Sequence, residues 1–168
     1  YNYDNNLNLK IDDIFKKVSK DTSIVFLTFP NIPVEGNVDL LFINKLAKFL
    51  NKKKILLVID EVYFPFNKSS AIKLIKKFNN IVVMRSFSKA FGLAGARIGY
   101  MISEKKKIKI FSNTKGGYET NMLSAAAVNF SLDNYKLTRK YVKDVSAGFL
   151  FLKDKLKKLK INYYGGTN

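Results

Sequence analysis

Ile55-Leu56-Leu57-Val58-Ile59 is apolar at every position and ends at Asp60. A run with no polar alternation fits a strand covered on both faces, as in a parallel sheet. Two similar runs flank it. Ile24-Val25-Phe26-Leu27-Thr28-Phe29 stops at Pro30-Asn31-Ile32-Pro33, which cannot continue a central ladder, and Ile81-Val82-Val83-Met84 leads into Arg85-Ser86. Helical spacing falls between them, at 38–51 (Phe42, Leu46, Phe49, Leu50) and 69–78 (Ala71, Ile72, Ile75, Phe78). Strand and helix alternate, which predicts an α/β fold with a mainly parallel sheet and helices on both faces. Ligands of such sheets sit outside the carboxyl ends of the strands. Three polar clusters fall there: Pro30-Asn31, Asp60 with Tyr63, and Ser86 with Lys89.

Before the first strand, Leu9, Ile11, Ile14, Phe15 and Val18 suggest a short helix closing near Ser19. Beyond the third, Arg97 to Ile102 reads as another strand, with helices expected at 103–111, 121–132 and 135–159. Leu137, Tyr141, Val145, Phe149, Leu152, Leu156 and Leu159 repeat along the last helix, and such a stripe is expected to be core. Ile161 to Tyr164 is expected to start a final strand.

Composition narrows the chemistry. The chain has no Cys and no His, which rules out disulfides, thiol nucleophiles and imidazole bases and argues against a zinc site. No apolar run approaches the roughly 20 residues of a membrane span, and no secretory signal opens the sequence, so a cytoplasmic location is expected. The formal charge of +17 invites a nucleic-acid reading. Only Arg85, Arg97 and Arg139 are arginines, however, and the lysine clusters fall at helix ends and solvent faces. Phosphate-backbone readers lean on arginine with interleaved aromatics, so nucleic acid is the less favoured partner.

Catalysis therefore falls to Lys, Asp, Glu, Tyr, Ser or Arg, and the densest grouping of these is SFSKAFGLAGARIGY, Ser86 to Tyr100. Ser86 and Ser88 flank Phe87, Lys89 follows, and the turn Gly92-Leu93-Ala94-Gly95 leads to Arg97. Hydroxyls and a guanidinium fork suit phosphate oxygens, and a lysine near an apolar strand end can act as a nucleophile. A surface loop that merely carries basic residues is the bland alternative. The run resembles the lysine motif of pyridoxal-phosphate (PLP) enzymes of the aspartate-aminotransferase fold, class I/II. It is most similar to the histidinol-phosphate aminotransferase branch, with Ser86, Ser88, Lys89, Gly92, Gly95, Arg97 and Gly99 all at motif positions.

That resemblance implies a set of roles. Lys89 is the Schiff-base lysine, Asp60 pairs with the pyridinium, and Tyr63 binds the phenolic oxygen. Ser86, Ser88 and Arg97 bind the cofactor phosphate. Glu61, read from its place after a strand and not from the resemblance, is expected to face solvent or cap a turn and is assigned no chemistry. Phe29 to Gly36 is similar to the family's asparagine-bearing loop but departs from it: Ile32 stands where the cofactor-contacting asparagine belongs, and Asn31 is the candidate to replace it by a shift of register. Family enzymes are roughly twice this long. Neither their small-residue phosphate loop and ring-stacking aromatic nor their carboxylate-binding arginine is found here. The expectation is a piece of a longer chain, with 1–134 part of the PLP-binding large domain and 135–168 a connecting helix plus the first strand of a small domain. The implied activity is amino transfer between an amino acid or phosphorylated amino compound and a keto acid, by a homodimer. A phospho-amino-acid decarboxylase of the same fold and a basic nucleic-acid-binding module are the alternatives.

Overall fold

The computed structural model describes residues 2–5, 7–32, 38–117 and 119–163. Four strands form one sheet in sequence order: β1 (Ile24–Thr28), β2 (Leu56–Asp60), β3 (Ile81–Ser86) and β4 (Gly99–Ser103). β1, β2 and β3 run parallel, and β4 returns antiparallel to β3. The expected α/β class and its mainly parallel sheet are observed. The helices are α1 (Ile11–Lys17), α2 (Leu40–Lys52), α3 (Lys105–Ser112), α4 (Met122–Asp133) and α5 (Tyr135–Lys158). No helix among the described residues is long and apolar enough to cross a membrane.

Register divides the strand residues between two faces, because successive side chains alternate across a sheet. Val25 and Leu27 align with Leu57 and Ile59, and these with Ile81 and Val83. This face meets α1, α2 and the 71–76 segment to form the core, where Leu27, Leu57, Ile59, Ile81 and Val83 are buried with Ile43, Leu46 and Leu50 of α2. α2 is capped by Asp39, whose carboxylate accepts from Phe42 N at 2.7 Å. The opposite face carries Thr28, Asp60, Met84 and Ser86.

Residues Ala71–Lys76 form a 3-10 helix rather than the α-helix expected over 69–78. The segment is pinned at both ends. Ser70 Oγ accepts from Ile72 N and Glu61 Oε1 from Ala71 N, while Asn80 Nδ2 donates to Ile55 O at 2.9 Å. A 3-10 helix rises about 2.0 Å per residue against 1.5 Å in an α-helix, so fewer residues span a fixed gap.

The expected burial of the α5 stripe is not observed. Leu137, Tyr141, Val145, Leu152 and Leu159 are all exposed, and Thr138 is the buried residue of the helix. The periodicity therefore marks an apolar face that stays largely exposed among the described residues, with Tyr141 packed on Phe66. Ile161 to Tyr163 pair with no strand among the described residues, and Tyr164 lies outside them.

Glu61 is 1% exposed, which corrects the expectation that it faces solvent; the capping half of that expectation holds, through Ala71 N. Its Oε2 accepts from Arg85 Nε at 3.1 Å, Arg85 NH2 at 2.9 Å and Ser70 Oγ at 2.9 Å. Strand parity explains the meeting: Glu61 follows Asp60 and Arg85 precedes Ser86, so both point to the core side.

Two stability predictions follow from this packing. A Cβ at Gly99 would sit 2.9 Å from the Arg85 backbone oxygen, and neither strand backbone can yield cheaply. Gly99→Ala should cost about 1–3 kcal/mol, read as a lower urea midpoint in the protein expressed from its complete reading frame; an unchanged midpoint contradicts the close approach. Arg85→Met leaves the Glu61 carboxylate buried without its cation and should cost about 3–5 kcal/mol by the same measurement. A loss within about 1 kcal/mol, the worth of an exposed pair, contradicts a desolvated one.

Candidate active site

The site lies where β1, β2 and β3 end. Asp60 pairs with Met84 across the parallel ladder, and Ser86 is two residues further along β3 on the same face. Strand spacing near 4.8 Å and two residues of rise put their Cα atoms about 8 Å apart. Asp60 is half-buried. Its Oδ1 accepts from Val62 N at 2.9 Å, while Oδ2 has no protein donor among the described residues. One carboxylate oxygen thus shapes the turn and the other is left for a cationic or protonated partner.

Past Asp60 the chain turns through 61–70. Phe66 N and Asn67 N both donate to Tyr63 O, which closes the turn that carries Tyr63. Lys89 Nζ lies 5.6 Å from the centroid of the Tyr63 ring, so the tyrosine loop and the lysine loop face each other. Lys89 is exposed and forms no ion pair with the described residues.

Local hydrogen bonds build the lysine loop. Ser86 Oγ accepts from Ser88 N at 3.0 Å and donates to Ser88 Oγ at 2.8 Å, which places the two hydroxyls together at the strand end. Gly92, at φ +69, turns the chain with its N–H on Lys89 O, and Leu93 N bonds Phe87 O. Arg97 adopts the left-handed conformation at φ 54 and donates from NH1 to Ala94 O at 3.3 Å; its side chain is otherwise exposed. Phe87 anchors the loop from below. It is buried against Phe91 at 4.8 Å and Tyr100 at 5.4 Å between ring centroids. Both loops also rest on the start of α5, through Phe91 on Tyr135 and Phe66 on Tyr141, each at 6.0 Å.

Asp60, Tyr63, Ser86, Ser88 and Lys89 are therefore gathered on one side of the strand ends, with Arg97 on the same loop as Lys89. Asn31 sits apart in its bonding. It is 2% exposed, its Oδ1 accepts from Thr28 Oγ1 at 3.0 Å and its Nδ2 donates to Tyr3 OH at 2.9 Å. Ile32 is half-buried, and Pro33 to Asn37, the remainder of the asparagine-type loop, lie outside the described residues. Sequence reasoning passed over Arg85 and Ser70, which hold Glu61 beneath the site. The signal available was parity alone, since each flanks a site residue or the turn that follows one.

Known proteins are similar to this chain in sequence and fold. A family model described as aminotransferase class I and II matches residues 1–166. Histidinol-phosphate aminotransferase 1 of Carboxydothermus hydrogenoformans is 36% identical over 146 residues, covering 86% of this chain and 41% of that protein. A dihydroxyacetone phosphate transaminase of Campylobacter jejuni is 33% identical over 147 residues, covering 87% of this chain and 40% of its own. The crystal structure of histidinol-phosphate aminotransferase from Sinorhizobium meliloti, in complex with pyridoxal-5'-phosphate, superposes with a TM-score of 0.75 at 24% identity, covering 86% of this chain and 40% of that one. The chain thus spans about two fifths of the length of these curated relatives. With the family match running through nearly all of it, the chain belongs to the class I and II aminotransferases.

Proposed function

We propose that this chain forms the core of the PLP site of an aminotransferase, moving an amino group between an amino compound and a keto acid. The observation that carries the reading is the shared face of Asp60 and Ser86 at the ends of adjacent parallel strands, with Lys89 beside Tyr63. The donor set fits the cofactor. The unpartnered Oδ2 of Asp60 suits a protonated ring nitrogen, and the Tyr63 hydroxyl suits the ring's phenolic oxygen. The paired Ser86 and Ser88 hydroxyls with Arg97 suit a phosphate. Among the described residues, Asn31 Nδ2 donates to Tyr3 OH alone, which leaves its second N–H for a ligand.

Bound there, PLP supplies an electron sink for negative charge developing on the carbon next to the amine. Asp60 would favour positive charge at the ring nitrogen through its carboxylate. Ser86, Ser88 and Arg97 would hold the phosphate end and so orient the ring. Lys89 Nζ would hold the cofactor covalently and, once freed by the amino donor, its amine would move the proton from the donor's α-carbon to the cofactor's aldehyde carbon. The names of the two relatives specify phosphorylated compounds, which supports a phosphorylated amino donor or keto acceptor. Met122 and Leu123, both more than four-fifths exposed at the start of α4, support a homodimer. A cytoplasmic location accords with these substrates. Burial of Arg85 against Glu61 leaves only Arg97 and Arg139 for the surface, which weighs against a nucleic-acid role.

Borohydride reduction of the protein from the complete reading frame, loaded with PLP and digested, should place a pyridoxyl adduct on Lys89 by mass. An adduct on another lysine, or none, rejects the assignment.

A further inference from the structure

Arg85 lies under the site rather than in it. Its guanidinium carbon is 3.4 Å from the centroid of the Phe64 ring, a stacked contact, while its edge holds Glu61 Oε2 and Ser70 Oγ. The cation is thus clamped between a carboxylate at the end of β2 and an aromatic face three residues further on. Between those two anchors runs the turn that carries Tyr63.

A buried ion pair is seldom the most stabilising way to fill a core, since apolar residues of the same volume often do as well. What a planar guanidinium adds is direction: a fork that fixes one partner and a face that fixes another. Here the fork is set by β3 through the backbone of Arg85, and β3 continues directly into Ser86 and Lys89. The clamp therefore ties the tyrosine turn to the same strand that delivers the lysine.

We propose that Arg85 is a positioning residue, which through Glu61 and Phe64 sets where Tyr63 stands relative to Lys89 and so tunes the bound cofactor. This rests on the PLP reading above. If Tyr63 donates to the phenolic oxygen of the cofactor, that bond favours the ionised oxygen and lowers the pH at which the cofactor's visible band changes. Losing it raises that midpoint by about one unit, as expected for one hydrogen bond to a charged group. Displacing Tyr63 raises it by part of that amount.

The test uses the protein from its complete reading frame, with Arg85→Lys, Phe64→Leu and Tyr63→Phe. Arg85→Lys keeps the charge opposite Glu61 but loses the fork and the stack; Phe64→Leu removes the stack and leaves the ion pair intact. Before cofactor is added, hydrogen exchange at the Phe66 and Asn67 amides, both bonded to Tyr63 O, should speed by about tenfold in either clamp variant while β2 stays protected. With PLP bound, both should shift the midpoint upward, and neither should shift it further in a Tyr63→Phe background. An unmoved midpoint beside a normal wild-type band, or shifts that add fully to that of Tyr63→Phe, overturns the clamp and leaves the transferase reading standing. Should Arg85→Lys fail to fold, Phe64→Leu gives the same decision. A wild-type protein with no visible band on PLP addition overturns the transferase reading and the clamp's role with it.

Discussion

The ladder between β2 and β3 is the constraint from which the rest of the site follows. Pairing Asp60 with Met84 fixes two consequences at once. On one face Asp60 and Ser86 are brought side by side at the strand ends. On the other, Glu61 and Arg85 meet in the core. A slip of one residue in that pairing would turn the faces of β2 over against those of β3, sending Asp60 into apolar packing and taking Glu61 away from Arg85. The buried pair accordingly acts as a register pin as well as a contact. Its cost in desolvation is tolerable because every acceptor site used on Glu61 is filled, by Ala71 N, Ser70 Oγ and the Arg85 fork.

The fold and the site were unequally readable from the residues. Strands Ile24–Thr28, Leu56–Asp60 and Ile81–Ser86 announce themselves because continuous apolar runs bounded by polar turns have few other uses. Asp60, Tyr63 and Lys89 could be gathered in advance since sheets of this class present ligands at strand ends. Glu61 could not, because a carboxylate after a strand reads as solvent-facing or capping until its partner across the ladder is known. The 71–76 segment shows the same limit: its apolar spacing fits an α-helix, and only anchors distant in sequence make it a 3-10 helix. Asn31 illustrates a third kind of gap. Its partner Tyr3 stands 28 residues away, beyond the reach of any local pattern.

The α5 stripe separates periodicity from burial. Leu137, Tyr141 and Val145 recur at helical spacing, yet they stay exposed, and the helix meets the site loops through Tyr135 and Tyr141. Tyr141 does two things at once, packing on Phe66 while half of its surface faces outward. The first turns of α5 are therefore part of the scaffold for the tyrosine and lysine loops, through Tyr135 on Phe91 and Tyr141 on Phe66.

A crystal structure of the protein from its complete reading frame, grown with PLP, tests the central claim directly. The account predicts density continuous from Lys89 Nζ, the ring nitrogen against Asp60, the phosphate on Ser86, Ser88 and Arg97, and Glu61 still paired with Arg85 on the opposite face. A cofactor attached elsewhere, or a ring nitrogen that faces away from Asp60, contradicts it.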